Sequence, residues 1–316
     1  MGDIASAPPL IIEVSLNGSV KPEQNPYVPY EDDDIVAQAV ECMEAGAALV
    51  HNHTRDPVFG NTGAMDAEDY ARPWRKLLAI RPDAILTPTM PADPPGGAPV
   101  ETRFGHIEAM AKEGLIAQGL CDPGSFSVSV PLADGVFAPT QLVYRNDAHD
   151  SHYYVEACRR LKLGMSISIF EPGFVKFIMA LHRAGRLPPG GIMKFYFGSD
   201  EMSFGLPPTA RALDAYLEMI EGSELSWSVS AFGDDCVGCG LAEAAIKRGG
   251  HVQVGIEPYG GPRTPRNVEL VEEVVALAGK LGRPIATPEQ AAKIMKLPTY
   301  PVPYVQARQS QQERPL

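Results

Sequence analysis

Residues 33–53 read DDIVAQAVECMEAGAALVHNH and contain one complete helix-then-strand unit. In the first part, apolar residues recur every three or four positions, which is typical of an amphipathic helix, and Gly46 follows as a helix-ending residue. The second part, ALVHNH (48–53), is a short apolar run that predicts a buried β-strand. Two histidines stand where that strand ends.

The same alternation of a short strand with a longer helix occurs eight times along the chain. The predicted strands are 10–16, 48–53, 84–89, 124–130, 164–170, 192–198, 226–232 and 251–257. Eight such units predict an α/β protein with a single (β/α)₈ TIM barrel. A doubly wound sheet is the alternative, but no G-x-G-x-x-G motif stands between the first strand and the first helix.

The end of the chain differs in composition from the rest. Residues 298–316, PTYPVPYVQARQSQQERPL, are rich in proline and glutamine. We expect the barrel to span residues 1–297 and residues 298–316 to form a C-terminal arm that is exposed or wraps a neighbouring subunit.

The charge of the chain narrows the classes of partner. With 27 basic and 39 acidic residues the formal net charge is −12, which argues against nucleic acid and anionic membranes. The N-terminus lacks the basic and apolar regions of a signal peptide, and no apolar run approaches the roughly 20 residues that span a bilayer. We therefore expect a soluble, cytoplasmic protein.

The five cysteines are odd in number, which favours reduced thiols over a disulfide framework. Cys236 and Cys239 form one C-x-x-C, but a structural zinc site would need a second pair at similar spacing. Ordinary thiols are the favoured interpretation, with a redox or metal role as the alternative.

Polar residues alternate with apolar ones in the first and eighth predicted strands. The apolar set should face the helices, so Glu13 on the first strand and Gln253 on the eighth should point into the barrel. Polar side chains there are unfavourable unless they are paired. The pattern thus indicates a site, with a hydrogen-bonded layer that carries no chemistry as the alternative.

The two histidines of the second strand are the strongest candidates for a metal site. His51 and His53 share one face of the strand at its C-terminal end, where barrel active sites lie, and Glu257 ends the eighth strand. A closed barrel places strands eight and two on either side of strand one. Two imidazoles and one carboxylate with an open position are typical of catalytic Zn²⁺, although Mn²⁺, Co²⁺ and Ni²⁺ fit the same donors.

Three segments resemble the motifs of one enzyme family. HNHTRDP (51–57) resembles the H-x-H-x-R-D/E motif of the β-keto acid cleavage enzymes, the family of 3-keto-5-aminohexanoate cleavage enzyme. GGHVQVGIE (249–257) is similar to that family's G-G-H-x-R-x-G-x-E-D, and GRPIATPEQAAKIM (282–295) to its G-R-x-x-A-T-P-x-E-A.

The resemblance implies a (β/α)₈ barrel that assembles as a homotetramer. It implies zinc bound by His51, His53 and Glu257, and a retro-Claisen exchange in which a β-keto acid and acetyl-CoA give acetoacetate and a new acyl-CoA. A Lewis acid that chelates the ketone and carboxylate of such a substrate favours its enolate.

The chain also departs from the family pattern. Gln253 stands where the family has arginine, and Pro258 follows the zinc-binding glutamate in place of aspartate. Thr89 replaces the serine that ends strand three. Four serines replace other polar residues: two strand-five glutamates and a strand-four Thr-x-Asn become Ser166, Ser168, Ser125 and Ser127. These four are candidate substrate-binding residues, and Thr89, Glu13 and Gln253 are candidate catalytic residues.

The lost arginine and aspartate leave alternatives open. Glu13 could take over proton handling, or it could form a buried ion pair with Lys194; Arg263 or Arg266 could replace the lost arginine. The metal could also serve a hydrolase or lyase, or the barrel could bind a metal or ligand without catalysis. The strand-five serines favour a neutral or anionic substrate over an amino-bearing one.

Overall fold

Eight parallel strands alternate with helices and form a nearly closed (β/α)₈ barrel, which confirms the predicted fold. The computed structural model describes residues 7–55, 58 and 63–312. Within these residues the barrel strands are β1 (Ile12–Ser15), β2 (Leu49–His51), β3 (Ile85–Thr87), β4 (Gln118–Cys121), β7 (Gly164–Ile169), β8 (Gly191–Gly198), β9 (Ser226–Phe232) and β10 (His251–Val254). Their hydrogen-bonded order is β3-β2-β1-β10-β9-β8-β7-β4, and β3 lies next to β4 where the ring closes.

The helices surround this ring. Their bounds are α1 (Asp32–Ala45), α2 (Ala67–Ile80), α3 (Val100–Glu113), α4 (Ala148–Leu161), α5 (Pro172–Arg183), α6 (Ala210–Met219), α7 (Leu241–Lys247), α8 (Asn267–Lys280), α9 (Pro288–Ile294) and α10 (Pro303–Gln312). The outward faces of the strands carry apolar residues such as Val14, Val50 and Leu86, which are buried in the main core with helix residues such as Trp74. Period-two alternation leaves the opposite faces for the barrel interior.

One end of the barrel is closed by an apolar layer that we call the floor. It consists of Ile11, directly before β1, and Leu49, Ile85 and Ile192 from β2, β3 and β8, packed against Ala291, Ala292 and Met295 at α9. The signature GRPIATPEQ builds this layer. Arg283 is buried and donates to the carbonyl oxygens of Gly249, Gly250, Ile246 and Pro8, and Thr287 caps α9.

The fourth barrel strand lies earlier than the sequence pattern predicted. The expected strand 124–130 is wrong, because residues 118–121 pair with β7 instead. Residues 126–127 and 143–144 form a separate antiparallel hairpin, β5 (Phe126–Ser127) with β6 (Val143–Tyr144). SFSVSV has the β-branched alternation of a strand, whereas QGLC does not, so local preference indicated the hairpin and missed the buried strand.

The C-terminal arm lies against its own barrel. Val302 and Val305 are buried in the main core, and the backbone N–H of Tyr304 donates to the carbonyl of Gly114 at the end of α3. The Tyr300 hydroxyl donates to the carbonyl of Asp83. The arm therefore is not exposed along its whole length.

In the described part of the chain, no helix has the length and apolar character to cross a bilayer.

Candidate metal centre

The two histidines and the glutamate singled out in the sequence meet at the rim of the barrel. His51 Nε2 lies 3.2 Å from Glu257 Oε2, and His53 Nε2 lies 3.1 Å from Glu257 Oε1. The possible ligand atoms of the three residues all lie within 4.8 Å of one another. We call His51, His53 and Glu257 the triad.

Strand register explains why residues so distant in sequence come together. β1 pairs with β2 on one side, where Ser15 lies opposite His51, and with β10 on the other, where Val14 lies opposite Val254. The backbone N–H of Glu257 continues this alignment by donating to the carbonyl of Ser15. The predicted neighbourhood of strands eight, one and two is confirmed.

A backbone carbonyl fixes the ring of His51. His51 Nδ1 lies 2.9 Å from the carbonyl oxygen of Thr87. A carbonyl can only accept, so Nδ1 carries a proton and Nε2 is the ring nitrogen that faces Glu257. Metal-binding histidines are commonly oriented in this way.

Asn17 holds His53, which lies beyond the end of β2. The Asn17 side chain donates through Nδ2 to the carbonyl of His53 and accepts through Oδ1 from the backbone N–H groups of His53 and Gly18. Asn17 is fully buried, so this clamp replaces the ladder hydrogen bonds that the strand no longer provides.

Gly18 makes room for the carboxylate. Its φ is +55°, and a Cβ placed there would lie 2.4 Å from Glu257 Cγ and 2.8 Å from Glu257 Cβ. Only glycine gives both the left-handed backbone and the space that Glu257 occupies.

The electrostatics and the free lone pairs of the triad fit a cation. Burial alone would raise the pKa of Glu257, but the two histidines hold it well below its usual value. Burial alone would lower the pKa of His51, but the Glu257 carboxylate raises it. Apart from His51 Nε2 at 3.2 Å, the buried Glu257 Oε2 has no hydrogen-bonding neighbour among the described residues. Two imidazole nitrogens and one carboxylate suit a divalent metal with open coordination positions.

A second cluster of ligand-type residues fits a metal less well. Asp147, His149 and Asp150 lie close together at the start of α4. The side chains of Asp147 and Asp150 form the capping box of that helix, and Asp150 also pairs with Arg103. These carboxylates therefore already have structural partners.

Below the triad the barrel interior is polar and buried. Lys194 Nζ donates to Glu13 Oε1 at 2.5 Å, and both side chains are 2% exposed, which confirms the predicted pairing. Gln253 Nε2 donates to Ser15 Oγ at 2.6 Å. Ser166 and Ser168 are buried, and the oxygens Glu13 Oε2, Gln253 Oε1 and Ser166 Oγ have no donor or acceptor at hydrogen-bonding distance within the described residues.

The remaining candidate substrate and catalytic residues lie farther out. Thr89 is half-buried after β3, where its backbone N–H donates to the Tyr70 hydroxyl. Ser125 and Ser127 are exposed on the hairpin segment instead of a barrel strand. The Ser125 hydroxyl donates to the carbonyl of Asn146 and accepts from its N–H, so it ties the two ends of the hairpin together.

The arginines that could have replaced the lost one make surface ion pairs. Arg263 pairs with Glu273 and Asp235, and Arg266 pairs with Glu41. Pro258 is buried, and its carbonyl accepts from the backbone N–H of Gly233.

Asp122 is a buried acid at the rim that the sequence pattern did not reveal. It directly follows β4, and its Oδ2 accepts from the Tyr144 hydroxyl at 2.5 Å. Burial raises the pKa of Asp122 more than the hydroxyls of Tyr144 and Ser168 and the ammonium of Lys194 lower it. The misplaced fourth strand concealed it, and the only signal was its position after a short apolar run.

A cavity of about 620 Å³ opens beside the triad. It is lined by residues that include Gly18, Lys21, Tyr30, His53 and Arg55. The triad can therefore be reached by a small molecule from the rim.

The cysteine pair lies at the surface after β9. Cys236 is buried and Cys239 is exposed, and burial raises the pKa of both thiols. Raised thiol pKa values disfavour the thiolate that metal binding and redox chemistry require.

Comparison with known proteins extends over almost the whole chain. The sequence model described as "BKACE: beta-keto acid cleavage enzyme" matches residues 9–297. The chain is 30% identical to the 3-keto-5-aminohexanoate cleavage enzyme of Acetoanaerobium sticklandii, over 90% of this chain and 97% of that protein. It is 24% identical to the 3-oxoadipate:acetyl-CoA acetyltransferase of Cupriavidus necator, over 92% of this chain and 96% of that protein.

Among solved structures, the apo form of ObcA shares the fold. The TM-score is 0.61 at 18% identity, with 87% of this chain and 66% of that chain covered. The matches to enzymes that cleave or transfer acyl groups confirm the prediction of an enzyme. The chain belongs to the β-keto acid cleavage enzyme family.

Proposed function

We propose that this chain is a zinc-dependent enzyme that converts a β-keto acid and acetyl-CoA into acetoacetate and a new acyl-CoA. The observation that carries the proposal is the triad, in which two imidazoles and one buried carboxylate converge at the rim of a barrel of this family. Acetyl-CoA as co-substrate is supported by the name of the Cupriavidus necator relative.

The proposed reaction balances without a further reactant. The bond between the keto carbon and the α-carbon of the β-keto acid breaks, and the same α-carbon forms a bond to the acetyl carbonyl of acetyl-CoA. The CoA thiolate released by acetyl-CoA takes the acyl group. His51, His53 and Glu257 would hold the metal, which supplies Lewis-acid stabilisation of the enolate when bound.

Residues inside the barrel are proposed to handle the proton and to orient the substrate. Glu13 Oε2 has no hydrogen-bond donor among the described residues, and Lys194 balances the charge of this carboxylate, so Glu13 can accept the α-proton. Thr89 and Gln253 are proposed to assist as polar groups. Ser166 and Ser168 are proposed to contact the substrate from the strand-five side, and Ser125 and Ser127 from the hairpin.

The assembly is proposed to be a homotetramer in the cytoplasm. Support for an oligomer comes from the hairpin region, where apolar side chains are 39–61% exposed; they are Val130, Leu132, Val136, Phe137, Leu142 and Val143. Contiguous exposed apolar surface is typical of protein–protein contacts. Light scattering of the purified chain gives the number of subunits.

The test is acetoacetate release by zinc-loaded protein given acetyl-CoA and a panel of β-keto acids. We expect activity that a chelator removes and zinc restores, and a fall of at least about 100-fold in His51→Ala, because the Lewis acid is lost. His182→Ala, at a half-buried histidine in the last turn of α5, is the matched control and should keep both zinc content and activity.

Zinc-bound protein that yields no acetoacetate from any member of the panel would contradict the proposal. Chelator-sensitive product formation without CoA would instead favour a metal-dependent hydrolase or lyase. Mass spectrometry of the bound metal distinguishes zinc from manganese, cobalt and nickel.

A further inference from the structure

The rim of the barrel has two unlike halves. The triad lies on the side of β1, β2 and β10. The opposite side carries four half-buried phenylalanines that we call the aromatic wall: Phe126, Phe170, Phe204 and Phe232. Ring centroids are 4.6 Å apart for Phe126 and Phe170, 4.8 Å for Phe126 and Phe204, and 6.0 Å for Phe204 and Phe232.

Strand alternation directs part of this wall toward the interior. Phe170 directly follows β7, two residues after the buried Ser168, and Phe232 ends β9, two residues after the buried Ser230. Tyr196 on β8 lies beneath, with its ring 4.8 Å from Phe170 and 5.0 Å from Phe232. Since parallel strands all end at one rim, the wall and the triad face the same opening.

The acidic groups near the aromatic wall are paired or buried. Glu13 is neutralised by Lys194, and Glu257 contacts the two histidines. Asp122 accepts from the Tyr144 hydroxyl through Oδ2, and burial raises its pKa, which favours the neutral acid. A carboxylate tail would lose its hydration against phenylalanine rings. A cationic tail could stack on the rings, but the acid beside them, Asp122, is one whose burial favours the neutral form.

We propose that the acyl tail of the substrate is uncharged and apolar and lies against the aromatic wall. This inference rests on the proposed function, because it names the class of β-keto acid that the site takes. Each methylene buried on the wall should raise affinity about fourfold.

The test compares β-keto acids that differ in their tails. Calorimetric binding without acetyl-CoA and kcat/KM with acetyl-CoA are measured for 3-oxopentanoate, 3-oxohexanoate, 3-oxooctanoate, 3-oxoadipate and 5-amino-3-oxohexanoate. We expect the Kd to fall about fourfold per added methylene and 3-oxohexanoate to bind at least about tenfold more tightly than either charged acid. Equal or tighter binding of a charged acid would overturn the inference.

Variants of the wall separate tail recognition from packing. Phe170→Ala and Phe232→Ala should weaken binding of 3-oxooctanoate at least about tenfold and leave 3-oxopentanoate within about twofold. Phe177→Ala, a half-buried phenylalanine on α5, is the matched control and should change neither. If the variants weakened binding of long and short tails equally, the aromatic wall would support the fold without contacting the tail. That result also overturns the inference.

The Kd values are measured without acetyl-CoA and therefore do not depend on catalysis. Acetoacetate release from none of the acids would contradict the proposed function, whereas the order of the Kd values alone supports or overturns the apolar tail.

Discussion

Single residues decide whether the triad can form, and substitution of Gly18 tests this most directly. Gly18→Ala places a methyl group 2.4 Å from Glu257 Cγ, so the carboxylate must move. We expect at least about a tenfold loss of zinc affinity, measured by chelator competition, as for changes in groups that orient metal ligands.

Gly185→Ala is the control for this substitution. Gly185 also has a positive φ, +63°, but a Cβ there meets nothing within 4 Å. Both variants should lose about 1 kcal/mol of stability through backbone strain, and Gly18→Ala alone should lose zinc. Equal zinc affinity in the two variants would show that Glu257 does not depend on Gly18.

The sequence indicated the triad because its spacing is regular. Period-two alternation placed His51 and His53 on one face, and strand order placed Glu257 beside them. Asn17, Thr87 and Gly18 support the triad through contacts between separate strands and loops. No local pattern reports such contacts, so sequence reasoning did not find these residues.

At the scale of elements, the buried Glu13–Lys194 pair joins β1 to β8, which are not neighbours in the sheet. Lys194→Met leaves the Glu13 charge buried without a partner and should lower the free energy of unfolding by about 3–5 kcal/mol. The double variant with Glu13→Leu should recover most of this loss, because apolar pairs replace buried ion pairs well. Urea unfolding measures both.

An exposed ion pair provides the contrast. Lys293 and Glu289 lie 2.7 Å apart on α9, with side chains 73% and 67% exposed. Lys293→Met should leave stability nearly unchanged, since solvent screens this pair. A similar effect of Lys293→Met and Lys194→Met would contradict the role of burial.

Seven of the eight barrel strands were predicted near their observed positions, and the fourth was not. QGLC is a strand because it fills the gap between β3 and β7, which is a requirement of the closed barrel. SFSVSV has the stronger local preference yet lies in a hairpin outside the ring. Tertiary contacts determine which segment forms the fourth barrel strand, so local β-propensity could not predict it.

For the whole molecule, His251 links stability to pH. Its Nδ1 accepts from the backbone N–H of Ile11, and burial, with Arg283 nearby, lowers its pKa from 6.5 to about 3. The unfolded chain therefore binds the proton more tightly than the folded one. This contribution is complete above pH 6.5 and is lost as pH falls toward 3.

Between pH 7 and pH 5 the wild type should lose about 2 kcal/mol of unfolding free energy through this residue. His251→Asn keeps an acceptor for the backbone N–H of Ile11 but has no titrating ring. Its free energy of unfolding should therefore fall by about 2 kcal/mol less than that of the wild type over the same pH range. His149→Asn, at a 78% exposed side chain, should decline like the wild type. If the free energy of unfolding fell equally with pH in wild type and in His251→Asn, the His251 imidazole would not be held neutral by burial.

The floor at α9 has a consequence for how substrates enter the barrel and products leave it. Within the described residues, the apolar layer around Ile11, Leu49 and Met295 shuts the barrel at the end away from the triad. A molecule that arrives at the triad must then depart by the way it came. Substrates therefore enter and products leave through one shared opening, and both products must leave before the next pair of substrates can bind.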